Sequence, residues 1–176
     1  VVVVFIFLGQ LLLRTGGGEF FTDLALATMG RRRGGAAKVS VVASAMFGSI
    51  SGSATSNVAS TGVITIPLMQ KSGYSGVQAG AIEAVASTGG SLMPPIMGAA
   101  AFLMAEYLEI SYAEVVIAAI VPALLYYFAV FVQVDLLAAK GAVNKVNLDL
   151  PRTRDVLRQG WHFLLPFVVL LVCLLY

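Results

Sequence analysis

Two stretches of small polar residues supply the side chains that could do chemistry in this sequence. Residues 46–62 (MFGSISGSATSNVASTG) and 87–98 (STGGSLMPPIMG) are built largely from Gly, Ala, Ser, Thr and Asn, although their surroundings are strongly apolar. Their side-chain oxygens and main-chain carbonyls are hard ligands, which suit an alkali cation rather than a transition metal. The candidate cation ligands are Ser53, Thr55, Ser56, Asn57, Ser87, Thr88, Gly89 and Gly90.

The second stretch interrupts a segment that is otherwise long enough to cross a membrane. Residues 77–104 contain Gly89-Gly90 and the tandem Pro94-Pro95 in their middle part. The prolines remove two backbone donors and the glycines loosen the preceding turn, so several carbonyls lose their helical partners. At membrane depth such a break is tolerated only where the backbone lines a cavity or coordinates a ligand. A discontinuous helix of this kind indicates a transporter binding site.

Glu83 is the one acid well inside a predicted span. An intramembrane carboxylate is costly and is therefore a candidate functional group. Two interpretations stay open: Glu83 is a protonatable coupling group, or it is hydrogen-bonded structurally to the hydroxyls of the hairpin predicted below for residues 36–72. Gly48 and Gly52, spaced by four, also have two interpretations, close helix packing and a functional backbone. For the Ser-Asn cluster at 53–57 a functional role is favoured, because the cluster lies beside a predicted break.

The composition predicts a polytopic α-helical membrane protein. The 176 residues are 59% hydrophobic and 11% charged, with a mean hydropathy of +0.90, whereas ~25% of residues are charged in an ordinary soluble domain. The single Cys173 excludes an internal disulfide, and His162 has no Cys or His neighbour that would indicate zinc. The basic residues lack interleaved aromatics, so no nucleic-acid partner is expected. Because 1–13 and 161–176 are apolar runs shorter than a span, we expect a fragment of a longer protein.

Arm lengths predict a re-entrant hairpin in residues 36–72. Its arms, 36–50 and 58–70, each reach only roughly 20 Å, well short of the ~30 Å hydrocarbon core. A single crossing is the alternative, but ~35 residues are too many for one span. In chain order we expect first the end of a scaffold helix and an interfacial amphipathic helix, in residues 1–35. A transport-domain part follows in 36–112, made of the hairpin (36–72) and a broken helix (77–108). The rest is predicted as a transmembrane helix (113–140), a cytoplasmic connector (141–160) and the start of another transmembrane helix (161–176).

The placement of basic residues favours the hairpin over the single crossing. Residues 31–33 and Lys38 supply positive charge before the hairpin and Lys71 follows it, whereas 72–139 contains no Lys or Arg. A second basic group then arrives, formed by Lys140, Lys145, Arg152, Arg154 and Arg158. Under the positive-inside rule the hairpin enters from the cytoplasm and returns to it. A single crossing would place Lys71 on the opposite side from the arginine cluster.

Four segments resemble the large membrane subunit of TRAP transporters, the tripartite ATP-independent periplasmic carriers. They are RGGAAKVSVVASAMFGSISGSATSN, TGVITIPLMQKSGY, AIEAVASTGGSLMPPIMGAAAFLMAE and PALLYYFAVFVQVDL, and they occupy most of residues 20–136. Many relatives of the dicarboxylate type have an acid at the position of Asn57, so the sequence here resembles the TAXI branch. In that branch the small and large membrane subunits are often fused in one chain.

The resemblance implies an elevator-type secondary carrier in a bacterial or archaeal inner membrane. A transport domain moves against a scaffold, driven by a sodium or proton gradient, and no cofactor is implied. A periplasmic solute-binding protein delivers an organic acid, and a small membrane subunit, separate or fused upstream, completes the permease. By the same resemblance, 51–57 is the first hairpin tip and 87–95 the first broken helix. One wall of the substrate site is then expected from Ser53, Asn57, Gly90, Pro94 and Pro95. The family's second hairpin and second broken helix have no counterpart here, so this fragment alone is not expected to transport.

Two other classes of membrane protein are alternatives to the carrier. A channel with a re-entrant pore loop would form symmetric oligomeric pores and would not depend on a binding protein. An intramembrane serine hydrolase would use Ser53, but it needs a general base within reach of the serine. His162 begins a different helix at an interface, so no enzyme activity is expected.

Overall fold

The computed structural model describes residues 14–141 and 153–163, together with the single positions 7, 11, 165 and 169. This part of the chain is helical and contains no β-strand, which confirms the all-α prediction for the described residues. Its elements are α1 (Gly17–Met29), α2 (Gly35–Ser51), α3 (Ala54–Lys71), α4 (Gly76–Gly89), α5 (Ala99–Leu108), α6 (Tyr112–Lys140), α7 (Thr153–Gly160) and a 3₁₀ turn at Trp161–Phe163. The helices predicted within 1–13 and 161–176, and most of the predicted connector, lie largely outside the described residues.

α2 and α3 form a helical hairpin with a tight turn. Gly52 ends α2 in the left-handed conformation at φ 59°, and its N–H donates to Gly48 O at 2.8 Å. Ser53 is extended and caps α3, because its hydroxyl accepts from the Ser56 N–H at 3.3 Å. α3 therefore starts earlier than the predicted arm at 58, and its 18 residues are about 27 Å long. Each arm is still shorter than the ~30 Å hydrocarbon core.

The predicted interruption of the following helix is present in the structure. α4 begins with a capping box in which Ser75 and Gln78 exchange side-chain and backbone hydrogen bonds. It ends at Gly89, and α5 begins only at Ala99. The prolines at 94 and 95 lie in the intervening irregular segment, because neither can donate a backbone hydrogen bond to a continuing helix.

α6 is the one helix in the described part of the chain that is long and apolar enough to cross a membrane. It has 29 residues, about 43 Å, with Pro122 inside it, and its most apolar window has a mean hydropathy of 2.6. α2 and α5 are apolar but shorter. The depth of the hairpin in a bilayer stays a prediction.

The core lies where α2, α3 and α4 pack together and α6 covers them. Buried apolar side chains, most of them small or branched, fill it, among them Ala37, Val39, Ala43, Met69, Ala79, Ala86 and Val134. α1 packs along α2, since Phe20 and Phe21 at its start share a second cluster with Phe47 and Ile50 near the end of α2. A short loop joins the other ends of these two helices, so they run antiparallel. The predicted interfacial helix is therefore packed against the hairpin along its length.

Candidate functional site

The two predicted stretches meet at the end of α2. Gly48 lies against Gly90 so closely that a Cβ on Gly90 would come within 2.7 Å of the Gly48 Cα. The Ile96 N–H donates to Ser49 O at 3.1 Å, which joins the interrupted segment to the hairpin. Gly52 packs against the main chain of Met97, where a side chain would collide with the carbonyl oxygen. The packing interpretation of Gly48 and Gly52 therefore has direct geometric support.

Asn57 bridges three helices at this contact. Its side chain is fully buried, and Nδ2 donates to Ser44 O at 2.9 Å and, more weakly, to Ser87 O at 3.5 Å. Asn57 belongs to α3, whereas the two acceptors belong to α2 and α4. Asn57, Ser87 and Gly90, all predicted as ligands, are thus brought together by tertiary packing.

Other predicted ligands lie apart from this contact. Ser53 and Thr55 are exposed at the hairpin tip, and Ser56 is half-buried beside them. Thr88 is also exposed, and its hydroxyl donates to Ala84 O of its own helix at 2.7 Å. Within the described residues, no hydrogen bond connects Ser53 or Thr55 to the second stretch. These positions are therefore not assembled into a single cage in this conformation.

The carbonyls next to the interruption between α4 and α5 accept hydrogen bonds from donors outside the regular helical pattern. Thr88 O accepts from the N–H and the hydroxyl of Ser91, at 3.2 and 2.8 Å, and Gly89 O accepts from the Leu92 N–H at 3.0 Å. Ala86 O accepts from the Tyr127 hydroxyl at 3.0 Å. The interrupted turn thus satisfies carbonyls that were expected to be free. Thr88 O already accepts two hydrogen bonds, whereas Gly89 O keeps a second lone pair that a cation could use. The cation-site assignment stays a prediction.

A buried carboxylate network, which we call the Glu83 network, lies deeper between the same helices. Glu83 and its partners have no exposed surface. Oε1 accepts from the hydroxyls of Thr61 at 2.5 Å, Ser87 at 3.2 Å and Ser44 at 3.4 Å, and Oε2 accepts from Thr65 at 2.5 Å and Ser40 at 2.7 Å. The structure thus shows the hydrogen-bonded interpretation of Glu83, with hydroxyls from α2, α3 and α4. Ser40, Ser44, Thr61 and Thr65 were not among the predicted site residues.

The spacing of these residues was the signal that could have identified them. Ser40 and Ser44, Thr61 and Thr65, and Glu83 and Ser87 are each four residues apart. Residues at this spacing lie on one face of a helix, one turn apart. Each of three helices therefore carries two polar groups on one of its faces. Because one of these groups is an acid, which needs hydrogen-bond donors when it is buried, the pattern predicts that the three polar faces pack against each other.

No cationic side chain takes part in the Glu83 network within the described residues. Lys38, on the same helix as Ser40, is directed to Asp135 of α6, with its Nζ 2.5 Å from Oδ1. Arg33 reaches the other oxygen of Asp135, also at 2.5 Å. The basic residues that precede the hairpin, predicted only as topology determinants, thus also fasten α6 to the hairpin. Glu83 is held by hydroxyl dipoles instead of a countercharge.

Two tyrosines of α6 make a second connection to α4. The hydroxyl of Tyr126 donates to Val85 O at 2.8 Å, next to the bond from Tyr127 to Ala86 O. Near the base of the hairpin, the Tyr74 hydroxyl is buried and has no hydrogen-bond partner among the described residues. Burial raises the pKa of Tyr74, and the charge of Asp135 raises it further.

The whole chain matches one protein family. A model described as the tripartite ATP-independent periplasmic transporter, DctM component, matches residues 1–176. The C4-dicarboxylate TRAP transporter large permease protein DctM of Pseudomonas aeruginosa is 33% identical over 174 residues, which are 96% of this chain and 40% of that protein. The protein of the same name from Vibrio cholerae is 35% identical over 124 residues, or 70% of this chain and 27% of its own length. The sialic acid TRAP transporter permease protein SiaT of Haemophilus influenzae is 28% identical over 178 residues, or 96% of this chain and 27% of SiaT.

These relatives are permeases, which are transporters rather than enzymes, so the serine hydrolase class is excluded. The chain spans 40% or less of the length of each of the three. The family is membrane-integral, which agrees with the long apolar helix α6. The chain therefore belongs to the DctM family, the large permease component of the tripartite ATP-independent periplasmic transporters.

Proposed function

We propose that this chain forms part of a cation-driven, binding-protein-dependent permease that imports small organic acids by an elevator mechanism. The observation that carries the proposal is the contact between the hairpin tip and the interrupted helix, at Gly48, Asn57 and Gly90. Irregular backbone of this kind suits a transporter binding site near the middle of a bilayer. Relatives named for C4-dicarboxylates and sialic acid agree with an acidic substrate.

The hairpin is proposed to be re-entrant from the cytoplasmic side of a multi-pass inner-membrane protein. Neither arm is long enough for a full crossing, and basic residues lie at both ends of the hairpin. α2, α3 and α4 share one core and the Glu83 network, so we propose that they move as one rigid unit of the transport domain. A unit of this kind can carry a bound solute across the membrane without changing its own fold.

One wall of the substrate site is proposed to lie where two helices begin. Gly52 contacts the main chain of Met97 and Gly98, so the N-terminus of α3, capped by Ser53, lies next to the N-terminus of α5, which has no side-chain cap at Gly98. Free N–H groups and the helix dipoles at such ends favour a carboxylate. The proposed lining residues are Ser53, Asn57, Gly90, Pro94 and Pro95.

The coupling ion is proposed to be sodium or a proton. For sodium, the proposed ligands come from the hairpin tip and the break: Ser53, Thr55, Ser56, Asn57, Ser87, Thr88, Gly89 and Gly90. For a proton, the proposed carrier is Glu83. The proposed partners are a periplasmic solute-binding protein, a small membrane subunit and the lipid bilayer around the exposed apolar face of α6.

Uptake by the complete permease tests this proposal. The full-length protein, with its small subunit and binding protein, is reconstituted in liposomes, and sodium and proton gradients are imposed separately. We expect uptake of an organic acid only with the binding protein and with at least one of the two gradients. Asn57→Ala should weaken cation dependence strongly, and Thr88→Ala should weaken it less, because only Asn57 lies in the buried contact. Cation dependence that is unchanged in both variants would refute the site, and uptake without a gradient or a binding protein would favour a channel.

A further inference from the structure

The Glu83 network has enough hydroxyl donors to satisfy a charged carboxylate. Each Ser or Thr hydroxyl carries one proton that it can donate. Ser40 and Thr65 can donate to Oε2, while Thr61 and Ser87 donate to Oε1. A carboxylate has about four lone-pair sites, so these hydroxyls fill it. The charged form of Glu83 therefore needs no basic residue.

Two of these hydroxyls have a second acceptor on their own helix. Thr61 Oγ1 lies 2.9 Å from Asn57 O, and Thr65 Oγ1 lies 3.0 Å from Thr61 O. One hydroxyl proton cannot make a strong hydrogen bond to both acceptors at once. Each threonine therefore donates either to Glu83 or to its backbone carbonyl. Ser40, by contrast, has Glu83 as its single acceptor in the described part of the chain.

The neutral form of Glu83 is satisfied by turning one of these threonines. A proton taken up from solution on Oε1 forms one O–H bond, and this O–H donates to Thr61 Oγ1 at 2.5 Å. The Thr61 hydroxyl then turns its own proton to Asn57 O. No heavy atom has to move and no buried polar group loses its partner. Either protonation state therefore fits the same packing.

Thr61 connects this choice to the hairpin tip. Its alternative acceptor is the carbonyl of Asn57, whose side chain joins α3 to Ser44 O and Ser87 O. Thr61 Oγ1 is also 3.4 Å from Asn57 Oδ1. The alternative acceptor of Thr65 lies one turn further from the tip. Of the two threonines, only Thr61 can change the hydrogen bonding of Asn57, which lies at the proposed cation and substrate contact.

Other ionisable groups do not compete for this proton. From α2 the facing groups are Ser40 and Ser44, and Lys38 is held by Asp135. From α3 they are the two threonines. From α6 the titratable neighbour is Tyr127, which donates its hydroxyl to Ala86 O.

We propose that the Thr61 hydroxyl is a two-position switch, donating to Glu83 when the acid is charged and to the Asn57 carbonyl when it is protonated. This inference rests on the proposed function, in which Glu83 is the proton carrier. Proton uptake would then change the hydrogen bonding of Asn57 at the hairpin tip. The network thus supplies a physical link between the coupling proton and the solute contact.

Infrared difference spectroscopy of the full-length permease in liposomes tests the switch. Protein labelled with ¹³C at the main-chain carbonyl of asparagine is compared at acidic and neutral pH. In the wild type we expect a protonated-carboxyl band to appear on acidification, together with a shift of one labelled Asn carbonyl band. In Glu83→Gln the Asn shift should be lost, together with the part of the carboxyl band by which the wild type exceeds this variant. Thr61→Ser keeps the hydroxyl and should keep the Asn shift, whereas Thr61→Val should lose it.

Thr65→Val is the matched control, because it removes the other switching hydroxyl but leaves the contact with Asn57 intact. It should keep the Asn shift. A carboxyl band that titrates while the Asn band stays fixed in wild type and Thr61→Ser would overturn the switch and leave proton coupling standing. No titrating carboxyl band from Glu83 would overturn the switch and remove Glu83 as carrier, while sodium-driven uptake would still be judged by the transport assay.

Discussion

Replacing Glu83 measures how strongly the buried network stabilises the unit formed by α2, α3 and α4. In Glu83→Ala the hydroxyls of Thr61 and Thr65 can turn to their own backbone carbonyls, at 2.9 and 3.0 Å. Ser40 loses its acceptor, and Ser87 keeps only a long contact of 3.5 Å with Ser44. Each buried hydroxyl left unsatisfied costs ~1–3 kcal/mol, so the two together should lower the free energy of unfolding by about 2–6 kcal/mol.

Glu83→Gln should have a smaller effect of the same sign. Its amide oxygen keeps the acceptor role of one carboxylate oxygen, while its NH₂ group faces a hydroxyl that formerly donated. The threonine on that side can turn away and accept, so one hydroxyl proton at most loses its partner. We therefore expect a loss of ~1–3 kcal/mol. The predicted order of stability, from lowest to highest, is Glu83→Ala, Glu83→Gln and wild type.

Hydrogen–deuterium exchange of the full-length permease in micelles is the assay. Amides of α2, α3 and α4 should exchange faster in both variants, tenfold for every ~1.4 kcal/mol lost through local opening. Glu106→Gln, which alters an exposed acid on α5, is the matched control and should exchange like the wild type. If Glu83→Ala also exchanged at the wild-type rate in all three helices, the network would not stabilise them and the reasoning would be refuted.

Three further predictions concern contacts outside the network, and unfolding of the full-length permease by denaturant checks each of them. Gly48→Ala should destabilise because its Cβ meets Gly90, whereas Gly80→Ala, whose Cβ meets nothing within 4 Å, should stabilise by ~0.5–1 kcal/mol; equal effects would contradict the close packing. Asp135→Asn should destabilise more than Arg33→Ala, because Asp135→Asn removes the charge that pairs with the buried Lys38, while Arg33 is exposed; the reverse order would be inconsistent with the ion pairs. Tyr74→Phe should be neutral or stabilising near pH 7, because the hydroxyl has no partner in the described structure. Because burial raises the pKa of Tyr74, the wild type should also lose stability as pH rises above the ordinary tyrosine value of ~10 up to the raised one, and Tyr74→Phe should not.

Local features were predictable because short-range chemistry decides them. The turn of the hairpin depends on a glycine that tolerates a left-handed backbone and on the serine cap that follows it. The interruption between α4 and α5 depends on glycines and on prolines that cannot donate. The second arm begins at Ala54, four residues before the predicted start at 58, because Ser53 caps the helix.

The candidate site was predictable only in part. Asn57, Ser87 and Gly90 are in contact, because the hairpin tip and the break pack against each other, while their role as ligands stays a prediction. Ser53 and Thr55 were assigned to the same site from their residue types, yet they are exposed at the tip. Residue type alone does not reveal which side of a helix faces a partner.

The sequence by itself determined the membrane class, the helical hairpin and the break, since each of these follows from composition, backbone propensity or charge placement. Only the tertiary structure decided that Ser40, Ser44, Thr61 and Thr65 converge on Glu83, and that Asp135 takes the charges of Arg33 and Lys38. The physical reason is that such contacts depend on the rotation and register of one helix against another. Side-chain packing across the whole core sets both quantities, and no local pattern encodes them.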